Sequence, residues 1–135
     1  MMSEQLRLLV EYRFSEAKQT LEEARILVNN RAYRGSINRS YYAMFYATMG
    51  LLSLKNIGSS KHSGVISFFD REFVKTGELS KDLSRSLHRA FEERQMSDYG
   101  EMLEPDELTA RELIDMADVF ISAIEEYIKV KFYSE

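Results

Sequence analysis

The sequence predicts an all-α fold: an antiparallel bundle of about five helices in a single domain, residues 1–135. Three observations carry this. The 135 residues hold one proline and six glycines, so little interrupts a helix. Strand-like alternation is nowhere sustained, whereas apolar residues recur three and four apart in long runs. The runs are separated by short connections, which bring consecutive helices back antiparallel.

The first helix is predicted over 3–29, because Val10, Phe14, Ala17, Leu21, Ala24 and Val28 form one stripe. "NNRAYRG" breaks it. A second helix, 33–55, ends at "NIGSS", with a glycine close behind. The third, 62–75, carries Val65, Ile66, Phe68, Phe69 and Phe73 and stops at "KTGEL". Ser80 reads as the N-cap of a fourth helix, 81–96, with Leu83, Leu87, Ala90 and Phe91 inward. "SDYGEMLEPD" reads as a loop. Pro105 and Asp106 open the last helix, reaching 131, with Leu113, Ala117, Phe120, Ile124 and Ile128 on one side.

Apolar residues make up 44% and charged residues 30%, the composition of a soluble globular protein. The absence of cysteine excludes disulfides and cysteine-based metal sites, and suits a reducing cytosol. The N-terminus alternates charge with leucine and lacks a signal-peptide core. The longest mostly apolar run, 41–52, is too short and too tyrosine-rich to span a bilayer. A cytoplasmic protein with no membrane partner is expected. The net charge of −4 is uneven: residues 31–94 hold eleven Lys/Arg against six Asp/Glu, residues 95–135 three against eleven. Either a basic face awaits an anion, or helices from the two regions offset each other's charge.

The second helix carries an unusual load in "INRSYYAMFYATMGLL". Ser36, Ser40, Ala43, Ala47 and Gly50 form a line of small side chains that lets another helix approach closely. Arg39, Tyr42, Tyr46 and Met49 form a second line, roughly 60° away at about 100° per residue. Each buried phenol needs a partner for its hydroxyl. This pattern fits a polar seam within the bundle, a subunit interface or an anion pocket.

The chain has two histidines. His62, in "SSKHSGV", opens a helix where backbone N–H groups and Lys61 favour an anion; the alternative is a half-buried or surface histidine behind a serine cap. His88 lies beside Arg85 and Arg89 on a solvated face. Neither histidine belongs to a Glu-x-x-His pair, and no zinc spacing, phosphate loop or serine-nucleophile order occurs, so neither metal nor cofactor is expected.

"YRGSINRSYYAMFYATMGLLSLKNIGSSKHSGVISFFDREFV" followed by "LHRAFEERQMSDYG" resembles the HEPN domain family across nearly the whole chain. The most specific pieces are "NRSYYAMFYA", "SKHSGV" and "R…DYG", in that order. The resemblance implies a helical bundle that forms a homodimer. It also implies a toxin–antitoxin pairing with a minimal nucleotidyltransferase. Catalytic members of the family are metal-independent ribonucleases using an Arg and, four to six residues on, a His, near the start of a late helix. Two copies of the motif face each other across the dimer cleft.

Arg94 matches the motif arginine, and the histidine position is filled by Tyr99, preceded by Asp98. Histidine suits both proton transfers of metal-free RNA cleavage, whereas a phenol with a pKa near 10 is a poor base. The candidate catalytic set is therefore Arg94, Asp98 and Tyr99. The candidate nucleotide-binding set is Arg39, Tyr42, Tyr46, Lys61 and His62, with Arg39, Tyr42 and Tyr46 expected beside Arg94 and Tyr99. Tyr99 is also a candidate acceptor for nucleotidylation by the partner transferase. The expected function is a toxin-like dimer that interacts with RNA or a nucleotide, with weak ribonuclease activity at most. The alternative is a non-catalytic nucleotide-binding or protein-interaction module.

Overall fold

A computed structural model describes residues 2–58, 61–99 and 105–133, with the side chain of Tyr99 outside that description. The helices are α1 (Glu4–Asn29), α2 (Tyr33–Ser53), α3 (His62–Phe69), α4 (Lys81–Tyr99) and α5 (Glu107–Ile128). A π-helical turn, Asp70–Val74, prolongs α3, and another, Lys129–Tyr133, prolongs α5. Both extensions lie within or near the lengths predicted from periodicity. Among the described residues there is no strand.

Caps and turns explain the boundaries. Ser3 and Asp106 accept hydrogen bonds from the first-turn amides of Leu6 and Thr109, so α1 and α5 start where a side-chain oxygen satisfies an orphan donor. Ser80 Oγ likewise accepts from Asp82 N at the start of α4. The chain leaves α1 and α2 through left-handed residues, Arg31 (φ 61°) and Asn56 (φ 55°). Each is followed by an amide that reaches back five residues, Ala32 N to Leu27 O and Ile57 N to Leu52 O. At the end of α2 it is thus Asn56, not the nearby Gly58, that takes the turning position. Asn tolerates this region through its short polar side chain. Ser59 and Ser60, the expected cap of α3, lie outside the described residues.

One boundary differs from expectation in a way that touches the site. Ser97, Asp98 and Tyr99 belong to α4 rather than to the following loop. Ser97 is buried, and Asp98 pairs with Arg94 one turn back, so packing and an (i, i+4) ion pair extend the helix.

The predicted stripes of α1, α4 and α5 face one shared core, in which Ala17, Ala24, Leu87, Leu113, Ala117 and Phe120 are fully buried. At the centre lies α2, with Ile37, Tyr41, Ala43, Met44, Ala47 and Leu51 inaccessible. Its small-residue line meets α1 closely. Ser36 Oγ donates to Ala24 O at 2.9 Å, and a Cβ on Gly50 would stand 3.1 Å from Arg13 Cβ and 3.3 Å from Phe14 Cε2. Ala47→Leu is expected to overpack this line at a cost of about 1–3 kcal/mol. An unchanged melting temperature would mean that the two helices can part without loss.

Part of the uneven charge is offset between helices. Carboxylates of α5 reach cations on other helices, in Lys18–Glu125 and Arg89–Glu112 at 2.8 and 2.7 Å. These pairs are solvated, so each contributes under about 1 kcal/mol. Three basic groups of the middle region, Arg39, Lys61 and Arg94, lie elsewhere.

Candidate functional site

They gather where α2, the start of α3 and the last turns of α4 meet. Arg94 comes from α4, at its C-terminal end rather than near a helix start, with its side chain only 17% exposed. Its guanidinium carbon lies 5.3 Å from the Tyr42 ring centre and 5.7 Å from that of Tyr41. Both rings belong to α2, one turn from Phe45, and their faces offer the guanidinium a favourable quadrupole.

Among the described residues, the polar partners of Arg94 are few and loosely engaged. Nη2 donates to Tyr42 Oη at 3.3 Å, long for a bond from a charged donor. Nε lies 2.9 Å from Asp98 Oδ2, close enough for an ion pair. It is nonetheless buried and out of line, so it makes no hydrogen bond. The contact is Coulombic rather than a charge-assisted hydrogen bond, because alignment decides the latter. A guanidinium in this state retains donor capacity for an anion.

Arg39 approaches the same Tyr42 ring at 5.0 Å. Its Nε and Nη2 donate to the neighbouring Asn38 Oδ1, and Glu23 stands 3.8 Å from Nη1. Two guanidiniums thus share one phenol ring. Tyr46 adjoins Tyr42 at 6.0 Å and Phe45 at 6.3 Å between ring centres, and so extends the cluster.

His62 completes the group. The imidazole stacks on Phe45, with centres 4.3 Å apart and planes at 16°, and meets Tyr42 edge-on at 5.5 Å. Its Nδ1 lies 2.6 Å from the hydroxyl of Tyr41, a residue with no solvent exposure. Burial, and secondarily the Arg94 charge, pushes the His62 pKa below its ordinary value. Burial pushes that of Tyr41 well up, so its phenol stays protonated. Lys61 stands at the N-cap of α3, next to His62.

Arg39, Tyr42, His62, Arg94 and Asp98 therefore come together, with Tyr46 and Lys61 at the edge. The side chain of Tyr99 lies outside the described residues, so its distance to Arg94 is not part of this geometry. Tyr41 and Phe45 were not singled out from sequence as site residues. The available signal was a hydroxyl within the mostly apolar run 41–52. His88, in contrast, sits apart and half-exposed, its Nε2 2.7 Å from Asp70 Oδ2, while Ser84 donates to Oδ1 at 2.6 Å. Elsewhere, a cleft of about 290 Å³ between α1 and α5 exposes Arg25 and Arg111. Both of these are already paired, with Glu22 and Glu107, so the cleft has less to offer an anion. Among the described residues no cluster of three potential metal ligands occurs, and no helix is long and apolar enough to cross a membrane.

Known proteins share this chain's sequence at length. It is 41% identical over 121 residues to a Thermotoga maritima protein named UPF0332, covering 90% of this chain and 92% of that one. Two Methanocaldococcus jannaschii proteins, each named "putative toxin", are 34% identical over 113 residues. That alignment covers 84% of this chain and 77% and 84% of theirs. The HEPN domain model matches residues 10–127, a span that runs from within α1 almost to the end of α5 and includes every residue of the Arg94 cluster. With that match and the all-α bundle observed, the chain belongs to the HEPN domain family.

Proposed function

We propose that this protein is the toxin-like component of a two-protein system, a homodimer that engages RNA through Arg94 and is countered by a minimal nucleotidyltransferase. The observation that carries the reading is the state of Arg94: mostly buried, seated on two phenol rings, and without a well-aligned acceptor at Nε. A phosphate oxygen is the acceptor a guanidinium fits best. Arg39, Lys61 and His62 add positive charge or donors beside it, and the tyrosines offer faces on which unpaired bases stack. The toxin names of two relatives support the same direction.

Expressed alone, the protein is expected to slow growth and to bind RNA with an affinity that falls as salt rises. Co-expression with a minimal nucleotidyltransferase encoded beside it is expected to restore growth. Light scattering at micromolar concentration is expected to give a dimer. Absence of toxicity, of RNA binding and of transferase contact would together sink the reading, and a monomer would remove the shared cleft from it.

A second reading, a non-catalytic binding module, is favoured by one observation: a tyrosine stands where the motif histidine would be. Restoring it with Tyr99→His separates the two. Gain of ribonuclease activity marks a decayed catalytic site, and no gain favours binding alone.

A further inference from the structure

We propose that His62 is a second phosphate-contacting group beside Arg94, presenting Nε2–H to a phosphodiester of RNA while the buried Tyr41 hydroxyl holds Nδ1. The proposal rests on the reading of Arg94 given above and adds to it a donor from a different helix than the family's motif uses.

Which nitrogen carries the hydrogen follows from the burial of Tyr41. A phenol with no solvent exposure needs an acceptor for its O–H, and His62 Nδ1 at 2.6 Å is the acceptor it meets among the described residues. Desolvation keeps that phenol protonated, so the hydroxyl donates and Nδ1 accepts. In the neutral ring the hydrogen is then on Nε2. Packing opposes a turn of the ring that would take Nδ1 off the hydroxyl, because the ring is stacked on Phe45 at 4.3 Å and held edge-on to Tyr42. At rest His62 is therefore set up to donate through Nε2, and a second proton, on Nδ1, requires the Tyr41 hydroxyl to turn and accept from it.

The groups facing the imidazole set its charge. Tyr41 and Tyr42 come from α2, Arg94 with its ion-pair partner Asp98 from α4, and Lys61 precedes it in the chain. Burial and the Arg94 charge disfavour a proton on His62 in the free protein. An anion seated on Arg94 offsets that charge and adds its own attraction. His62 is then expected to bind a proton more tightly in the complex than in the free protein. By linkage, RNA binds more tightly as pH falls, and the gain is lost as pH rises through the His62 pKa of the complex.

The chain's two histidines make this measurable, because His88 on Asp70 serves as an internal reference. The probe is a 2′-O-methylated hexauridylate, which cannot be cleaved and whose phosphodiesters keep one charge each throughout the range. Nitrogen-15 NMR of the free protein near neutral pH is expected to show His62 Nδ1 without hydrogen and Nε2 with it. Saturation with the probe is expected to raise the proton affinity of His62 about tenfold and leave His88 unchanged, with probe affinity falling about tenfold from low to high pH. His62→Gln is expected to flatten that pH dependence, while Tyr41→Phe, which keeps the ring, releases the tautomer. Uridine 3′-monophosphate, run in parallel, tells a free nucleotide from an RNA chain as the source of the phosphate. Hydrogen on Nδ1 in the neutral ring would overturn the proposal. So would a His62 titration unmoved by a probe that Arg94→Ala no longer binds, and that outcome leaves the Arg94 reading standing. Failure of both probes to bind the wild type overturns both readings.

Discussion

Arg94→Ala is expected to weaken RNA binding by about 10- to 100-fold, the loss of one or two hydrogen bonds from a charged donor, and to abolish growth arrest with it. The slope of binding against salt is expected to fall by about 0.7 for the one lost contact to a single strand. Stability is expected to fall by about 1–2 kcal/mol. That is more than the ~1 kcal/mol expected for an exposed arginine, since the side chain is only 17% accessible and lies on two rings. It is less than the ~3–5 kcal/mol of breaking a buried ion pair, because Asp98 keeps a quarter of its side chain in water and can turn outward once unpaired. Urea unfolding and RNA titrations at two salt concentrations, on the same variant, decide the matter. A cost near 4 kcal/mol with RNA binding intact would make Arg94 a structural residue and remove the basis of the proposed function.

The fold was open to reading because its determinants are local and periodic. The stripes Val10–Val28 and Leu113–Ile128 repeat the helical period over seven or more turns between them, and the caps at Ser3, Ser80 and Asp106 are short-range signals. The small-residue line of α2 was legible for the same reason. The end of α4 was not, because Asp, Gly and Pro nearby outweighed an ion pair whose worth depends on where Arg94 points. The site was legible only in part. Arg39, Tyr42 and Arg94 could be bracketed as costly in a core, but their meeting depends on how α2 and α4 cross. His62 stood in the same candidate set as Arg39 and Tyr42, but its seat on Phe45 and Tyr41 depends on the path of the α2–α3 connection, which no periodicity encodes. The role of Tyr41 was hidden for a related reason. In sequence it is one apolar-run tyrosine among four neighbouring aromatics, and only its complete burial next to an imidazole sets it apart.

Because His62 is delivered by α3, the anchoring of that short helix should control the site, and Phe69→Ala tests this with the largest stability effect expected here. Phe69 is fully buried, 5.6 Å from Phe120 of α5 and 6.5 Å from Phe73 in the π-helical turn. Removing the ring is expected to cost about 3–5 kcal/mol, the transfer term plus a cavity that the neighbouring rings only partly fill. The polar anchor one residue on is worth less. Asp70 holds Ser84 and His88 of α4, yet His88 is about half in water, so Asp70→Asn should cost about 1 kcal/mol or less. With eight residues, α3 has too little intrinsic helicity to stay formed without its packing. Partial release of α3 should therefore carry His62 off Phe45 and Tyr41 before the bundle as a whole unfolds. The expected signature on Phe69→Ala, at temperatures where α1, α2 and α5 keep their helicity, is a His62 pKa returned toward its ordinary value. Asp70→Asn should leave it low. If Phe69→Ala unfolds in one step with His62 titrating as in the wild type until then, α3 is part of the central cooperative unit. Its burial would then stabilise the whole bundle and not the site in particular.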